Sequence, residues 1–359
     1  MSDFDDLMGD INDGIEGRNS GVPTGFSRLN SHVTIRKSMI YLIGGYTGSG
    51  KTALLDDAFV LNPVEWYLND EGKSGIDLEI IYWSMERRKN FKLMKWISRR
   101  IFLDHGIIIP INRMMGWCPK TERLSIEEKN LIETYRQYVE ALSEIIHIRA
   151  YPENPTGIRN FVRERALANG EVEMVSEHER IYHPHKPNKI ILNIYDHIGL
   201  IREEKDYKQK KEIIDKASKD ARYFRDFYGI PSVKVSQFNR EIASPLRLKS
   251  GDVEPMLEDF KDTATTQEDA DIVMSLFDPM RYKVQDPVGY DLSKLRDAQG
   301  RKKYRLLKIL KNSYGSDDIR IGLAFQPEIG MFREMKKLTD TTEDTYNSII
   351  DNSYFLREQ

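Results

Sequence analysis

The run Gly45-Tyr46-Thr47-Gly48-Ser49-Gly50-Lys51-Thr52 has the spacing G-x-x-x-x-G-K-T. Glycines so placed let consecutive backbone N–H groups curl round phosphate oxygens. The lysine adds a point charge at the β- and γ-phosphates, and the threonine hydroxyl can ligate Mg2+. Gly45, Gly48, Ser49, Gly50, Lys51 and Thr52 are therefore the expected nucleotide-binding residues, with ATP or another NTP as ligand and Mg2+ as metal. Such a motif needs context. Here the apolar run Met39-Ile40-Tyr41-Leu42-Ile43 leads in and the helix-forming Thr52-Ala53-Leu54-Leu55 leads out, which is the strand, loop and helix that phosphate binding requires.

The metal beside such a loop also needs a carboxylate on a neighbouring strand. The apolar run Ile190-Ile191-Leu192-Asn193-Ile194-Tyr195 ends in Asp196. A charge in that position is unfavourable unless a cation or hydrogen bonds compensate it, so Asp196 joins Thr52 as a metal residue; the alternative is a cap on the next helix. Hydrolysis then needs a base for the attacking water. Glu86, in Trp83-Ser84-Met85-Glu86-Arg87, directly follows another apolar run, and Gln237 follows Val233-Lys234-Val235-Ser236. In a parallel sheet the strand C-termini share one edge, so Glu86, Asp196 and Gln237 should converge on the γ-phosphate.

The elements that must do this positioning can be read from apolar runs and their spacing. Strand candidates are Met39–Ile43, Leu78–Ser84, Ile145–Ala150, Lys189–Tyr195, Ser232–Ser236 and Ile272–Phe277. Helices are expected at Phe91–Leu103, Ser125–Leu142, Thr156–Ala168 and Lys210–Phe227. Alternation of this kind predicts an α/β fold, a mainly parallel sheet covered by helices on both faces. Arg305–Lys311 and Ile319–Phe325, separated by Asn312-Ser313-Tyr314-Gly315-Ser316, read as a late antiparallel edge hairpin.

Residues 1 to 18 place Phe4, Leu7, Met8, Ile11 and Ile15 on one helical stripe among Asp3, Asp5, Asp6, Asp10 and Asp13. This arm either docks elsewhere or packs on its own domain. Residues 171 to 188 (EVEMVSEHERIYHPHKPN) read as an inserted ribbon or loop; His178, His183 and His185 suggest a metal site as the alternative, but without carboxylates at ligand spacing a solvated surface ribbon is the expectation.

Lys and Arg number 54 against 57 Asp and Glu, a net of −3. That excludes binding nucleic acid through a polybasic coat, so any such contact is local or assembled from several subunits. The single cysteine, Cys118, excludes an intrachain disulfide and a Cys-rich zinc cluster. The acidic N-terminus and the lack of a long apolar run predict a cytoplasmic protein without membrane contact.

Beyond these separate features, Gly21-Val22-Pro23-Thr24-Gly25-Phe26, the P-loop, Trp83-Ser84-Met85-Glu86, Tyr195-Asp196-His197-Ile198, Val235-Ser236-Gln237-Phe238-Asn239-Arg240 and Gln267-Glu268-Asp269-Ala270-Asp271-Ile272-Val273-Met274 occur in a specific order. From about Gly21 to Phe332 the chain resembles the RecA-like motor domain of DnaB-type replicative helicases, and its wording is similar to the helicase half of bacteriophage primase-helicases. The resemblance implies a RecA-like P-loop NTPase core and a hexameric homo-oligomer that moves on single-stranded DNA while hydrolysing NTP between subunits, in the host cytoplasm if phage-encoded. It implies a primase or loader as further partners. It makes Lys51 and Thr52 the phosphate and Mg2+ residues, Glu86 the catalytic base, Asp196 the Walker B carboxylate and Gln237 the γ-phosphate sensor. Lys261, Thr263, Ala264 and Thr265 fall in the DNA-facing channel loop, and Tyr282 lies where an aromatic can meet the nucleotide base. The implied domains are an arm or linker helix at 1–18, the motor at 19–335 with the insertion at 171–188, and a C-terminal tail at 336–359.

Three departures accompany the resemblance. The N-terminal helical domain is replaced by the short arm. The family's Lys-x-Arg reads Lys311-Asn312-Ser313, so Lys311 is present without its arginine unless Arg305 or Arg320 reaches the site. Lys261 replaces the arginine at the channel-loop entrance. Two other readings therefore stand beside the motor: a RecA-fold recombinase or clamp that binds DNA without unwinding, and a degenerate helicase partner.

Overall fold

The computed structural model of the chain describes residues 3–205, 207, 209–239, 244–261 and 264–356. Its sheet contains β1 (Ile40–Gly45), β2 (Asp77–Ser84), β3 (Ile146–Arg149), β6 (Lys189–Asp196), β7 (Ser232–Gln237), β8 (Ile272–Phe277), β9 (Tyr304–Asn312), β10 (Ile319–Gln326) and β11 (Met331–Glu334). Their order is β11-β10-β9-β8-β1-β7-β6-β2-β3. From β8 to β3 every pairing is parallel, and from β8 to β11 every pairing is antiparallel.

The period of two along each central strand explains why both faces are covered. Leu78, Ile80 and Tyr82 of β2 enter one core with the P-loop helix, while Ile81 and Trp83 enter the opposite core with the helices Pro155–Ala168 and Lys210–Tyr228. Strands buried on both sides are near-continuous apolar runs, which is why they are legible from the sequence. The hairpin β9-β10 forms as expected, but the outermost strand is β11, paired with β10. Four residues after Gly330 are too few to display a period, and only pairing makes them a strand.

The expected single helix over Ser125–Leu142 is two, Ile126–Thr134 and Arg136–Ile145. Tyr135 leaves helical geometry between them, its ring buried against Ile101 and Ile109 and its hydroxyl donating to Asp104 at 2.8 Å. A tertiary contact overrides the helical pattern here. The inserted ribbon is the exposed antiparallel pair β4 (Gly170–Met174) and β5 (Arg180–Pro184), where His183 pairs with Glu173 at 2.8 Å. The arm forms the helix Asp3–Ile15, and Phe4 and Ile15 are 66% and 78% exposed, so its apolar stripe is not covered by the body of its own chain. Toward the other end, Tyr346, Ile349, Tyr354 and Phe355 are buried with Phe102, Tyr304 and Met331. No helix among the described residues is long and apolar enough to cross a membrane.

The P-loop helix Lys51–Asp56 continues through a π turn at Asp57–Leu61 and the helix Asn62–Asp70. Asp57 is fully buried, accepting from Phe332 N at 2.6 Å and pairing with Arg99 Nε at 2.9 Å, so it clips this helix to β11 and to the helix Lys89–His105. Burial pushes its carboxyl up to about 6 against the pull of Arg99. A carboxyl raised in the folded state stabilises the fold at low pH and loses that contribution as pH rises through about 6. Urea unfolding of the native chain and of Asp57→Asn at pH 4 to 7 should therefore diverge. The native chain should lose on the order of 2–3 kcal/mol more than the variant over this window; parallel pH profiles would refute the assignment.

Candidate active site

β1 ends at Gly45 and the next helix begins at Lys51, so the P-loop spans the C-terminal edge of the parallel strands. Gly48 and Gly50 hold φ of +81° and +101°, backbone that side chains with a Cβ rarely adopt. Lys51 is buried and donates from Nζ to Gly45 O at 2.6 Å and Tyr46 O at 2.8 Å. Register brings the other loops to the same edge: Gly45 is level with Gln237, and Ser84 with Asp196.

A cleft of about 600 Å³ opens there, and Lys51, Thr52, Glu86, Asp196 and Gln237 all line it. Thr52 Oγ1 donates to Asp196 Oδ1 at 3.0 Å. Glu86 is exposed at the rim, and the Gln237 amide lies 3.4 Å from His197 Nε2. Two observations test whether these residues fit a nucleotide and its metal. Ser49 Oγ, inside the loop, is buried with no hydrogen-bond partner, and Thr52 with Asp196 presents a hydroxyl and a carboxylate side by side, a hard oxygen donor set suited to Mg2+. The fit is good, and Thr52 and Asp196 are the residues that could hold the metal.

Three further residues had no place in the sequence motifs. Asp196 Oδ2 accepts from Tyr82 at 2.9 Å and from Lys92 Nζ at 3.1 Å. Lys92 also donates to Asp56 Oδ1 at 3.1 Å, and the Tyr82 hydroxyl lies 2.9 Å from the same atom, so its one proton is shared between the two acids. All four side chains are essentially out of contact with solvent. Burial opposes ionisation of Asp196, yet the charge of Lys92 and the hydrogen bonds from Lys92, Tyr82 and Thr52 hold it below the ordinary carboxylate range. One sequence signal for Lys92 exists: it shares a buried helical stripe, spacing four and three, with Trp96 and Arg99.

The remaining expected site residues lie elsewhere. Tyr282 stacks on Phe277 at 5.6 Å and sits beside Tyr46, bounding a separate small pocket with Gly48 and Ser49. Lys261 is exposed, and its N–H donates to Gln237 O at 2.8 Å. Ala264 and Thr265 begin the short helix Ala264–Glu268; Thr263 lies outside the described residues. Lys311 is level with Val273, near the N-terminal ends of the parallel strands and so at the edge away from its own P-loop, with Nζ on the carbonyls of Gln267, Glu268 and Ala270. Arg305 is buried under the P-loop of its own chain, donating from Nε to Ser49 O at 2.8 Å, and Arg320 is paired with Glu254 and Asp318.

This sheet order, with a P-loop after β1 and a carboxylate closing β6, the strand next but one, defines a RecA-like P-loop ATPase. The DnaB-like helicase C-terminal domain family matches residues 124–334, more than half of the chain, and the chain belongs to that family. It is an ATP-hydrolysing DNA helicase motor of the DnaB type. Among solved structures, an ATPase domain is similar over 94% of this chain and 100% of its own, at 19% identity and a TM-score of 0.67. A DnaB-like replicative helicase described with its interactions with primase is similar over 93% of this chain and 67% of its own, at 19% identity and a TM-score of 0.63. At this identity both likenesses speak for the fold. A comparison with curated protein sequences found no match.

The buried group Asp56, Lys92 and Asp196 is tested by removing its cation. Lys92→Met leaves two buried carboxylates facing each other and should cost about 3–5 kcal/mol in urea unfolding. Adding Asp56→Asn should recover at least about 1 kcal/mol of that, a coupling expected only of side chains in contact. Additive effects would show that the two groups do not interact.

Proposed function

We propose that the chain binds ATP with Mg2+ in this cleft and uses its hydrolysis to drive a homo-oligomeric ring, a hexamer, along single-stranded DNA. The convergence of Lys51, Thr52, Glu86, Asp196 and Gln237 on one cleft carries this reading. In it, Gly45, Gly48, Ser49 and Gly50 supply backbone N–H donors to the phosphates, and Lys51 leaves its carbonyl partners for the β- and γ-phosphates. Thr52 and Asp196 hold Mg2+, which when bound supplies neutralising charge to the phosphate oxygens. Glu86 takes a proton from the attacking water, and Gln237 contacts the γ-phosphate through its amide.

In this reading, backbone pairing links the nucleotide to the DNA. Residues 237–239 and 259–261 are tied by Lys261 N to Gln237 O at 2.8 Å and Asn239 N to Asp259 O at 2.7 Å, with Phe238 bridged to Phe260. A shift of Gln237 toward a γ-phosphate therefore pulls directly on the segment carrying Lys261, Ala264 and Thr265, the proposed DNA-facing loop. A balanced net charge suits this arrangement, since one lysine per subunit repeated round a ring makes a local positive channel. The exposed stripe of the helix Asp3–Ile15 is proposed to dock on the adjacent protomer, and Lys311 to face the neighbouring subunit's site. Residues 19–335 then form the motor, which works in the cytoplasm with a primase or loader as further partners, and Tyr282 lies against the nucleotide base.

Two substitutions separate the parts of this function. Glu86→Gln keeps shape and hydrogen bonding but removes the base, so calorimetry should find ATP affinity preserved while turnover falls on the order of 10²-fold or more. Full turnover would remove Glu86 from the role. Lys261→Ala should weaken single-stranded DNA binding and flatten its salt dependence while leaving nucleotide affinity unchanged; unaltered DNA binding would place the channel elsewhere.

A further inference from the structure

Cleavage of a phosphoanhydride spreads negative charge over the transferred phosphoryl oxygens, and a guanidinium placed there is worth about 10³ or more in rate. Ser313, where the resemblance leads one to look for that arginine, cannot supply it. Arg305 is buried with its Nε on Ser49 O, and Arg320 is held by Glu254 and Asp318.

The cations lining the cleft are Lys51, Arg87, Lys92 and Lys95. Lys92 is locked between Asp56 and Asp196, and Lys95 Nζ lies 4.0 Å from Asp56 Oδ2. Lys51 belongs to the phosphate loop itself. Arg87 differs from all three. It is exposed, it directly follows Glu86, and its guanidinium makes no hydrogen bond or ion pair with any described residue. Its backbone is anchored, because Ser84 Oγ donates to Arg87 O at 2.8 Å, so a long flexible side chain enters the cleft from a fixed root.

We propose that Arg87 is a catalytic arginine acting in cis, closing its guanidinium onto the γ-phosphoryl oxygens of a nucleotide held by the P-loop of the same chain. The water oxygen bonds to Pγ, the bond from Pγ to the β,γ-bridging oxygen breaks, ADP leaves with that electron pair, and Glu86 takes the water's proton. Arg87 transfers nothing and stabilises the charge that develops. An arginine next to the base in sequence is carried into the site by the same β2 terminus, so base and cation stay in register whatever the neighbouring subunit does.

The inference rests on the hydrolytic role proposed for the cleft, and the experiment separates the two. Using the full chain, ADP binding and ADP binding with aluminium fluoride, a mimic of the transferring phosphoryl, are measured by calorimetry beside steady-state ATP turnover. Arg87→Ala should bind ADP within about twofold of the native chain, lose the fluoride complex and turn over on the order of 10²-fold more slowly or worse; Arg87→Lys should recover part of both. Retained ADP affinity also shows that the variant is folded. A fluoride complex and turnover equal to the native chain's would overturn the role of Arg87 alone, whereas a native chain that forms no such complex and hydrolyses nothing would overturn the hydrolytic reading. Mixing Arg87→Ala with Lys51→Ala chains tests the cis assignment. Of the two kinds of mixed interface, the one that sets the P-loop of an Arg87→Ala chain against a Lys51→Ala neighbour joins an intact P-loop to an intact Arg87 in trans, while no chain holds both in cis; restored turnover would mean action in trans and would refute the proposal, and continued inactivity of the mixed oligomer supports it.

Discussion

A negative charge at the end of a strand buried on both faces is the constraint around which this molecule is organised. Asp196 closes β6 essentially without solvent, and an isolated carboxylate there would be too costly to keep ionised. Three elements answer it: Thr52 from the P-loop helix, Tyr82 from β2 and Lys92 from the helix after β2, while the backbone carbonyl of Asp196 is satisfied separately by Met85 N at 3.0 Å. Satisfying one carboxylate thus docks the phosphate loop, the strand that leads to Glu86 and the helix that walls the cleft. Stability and chemistry share the same contacts.

The cost of that arrangement is a second buried carboxylate. Asp56 is the second acid on Lys92, so a single ammonium serves two carboxylates while the one hydroxyl proton of Tyr82 is shared between them. Such a group contributes less net stability than an apolar core of equal volume would, because three charges lose their water. What it provides is orientation: Asp196 has one oxygen committed to Tyr82 and Lys92, leaving the other toward Thr52 and the cleft.

The two edges of the parallel strands have separate tasks. At the C-terminal edge lie the phosphate loop, Glu86, Asp196 and Gln237; toward the N-terminal edge lie Lys311 and the turn of the β9-β10 hairpin. The antiparallel direction of β9 is what carries Lys311 away from its own P-loop, while Arg305, six residues earlier on the same strand, ends beneath it. Between the edges, the pairing of residues 237–239 with 259–261 is a short mechanical connection made of backbone hydrogen bonds, which transmit displacement without depending on side-chain identity.

The local features were determined by the sequence itself. The P-loop, the buried strands β1, β2, β6, β7 and β8, and the placement of Glu86, Asp196 and Gln237 after strand ends follow from spacing within a few residues, together with the rule that parallel strands share an edge. The tertiary structure decided whatever depends on partners distant in the chain. Lys92 has only its helical spacing to Trp96 and Arg99 to mark it until Asp56 and Asp196 are brought to it, and Met331–Glu334 has no strand signal until β10 lies alongside. Tyr135 breaks a helix because the pocket between Ile101 and Ile109 takes its ring. Arg305 and Ser313 differ in the same way, since one strand's direction and register settle which reaches the phosphate loop. Periodicity and propensity act over one or two turns, whereas compensation of buried charge and strand pairing join residues tens to hundreds of positions apart, and only the assembled sheet brings those groups into contact.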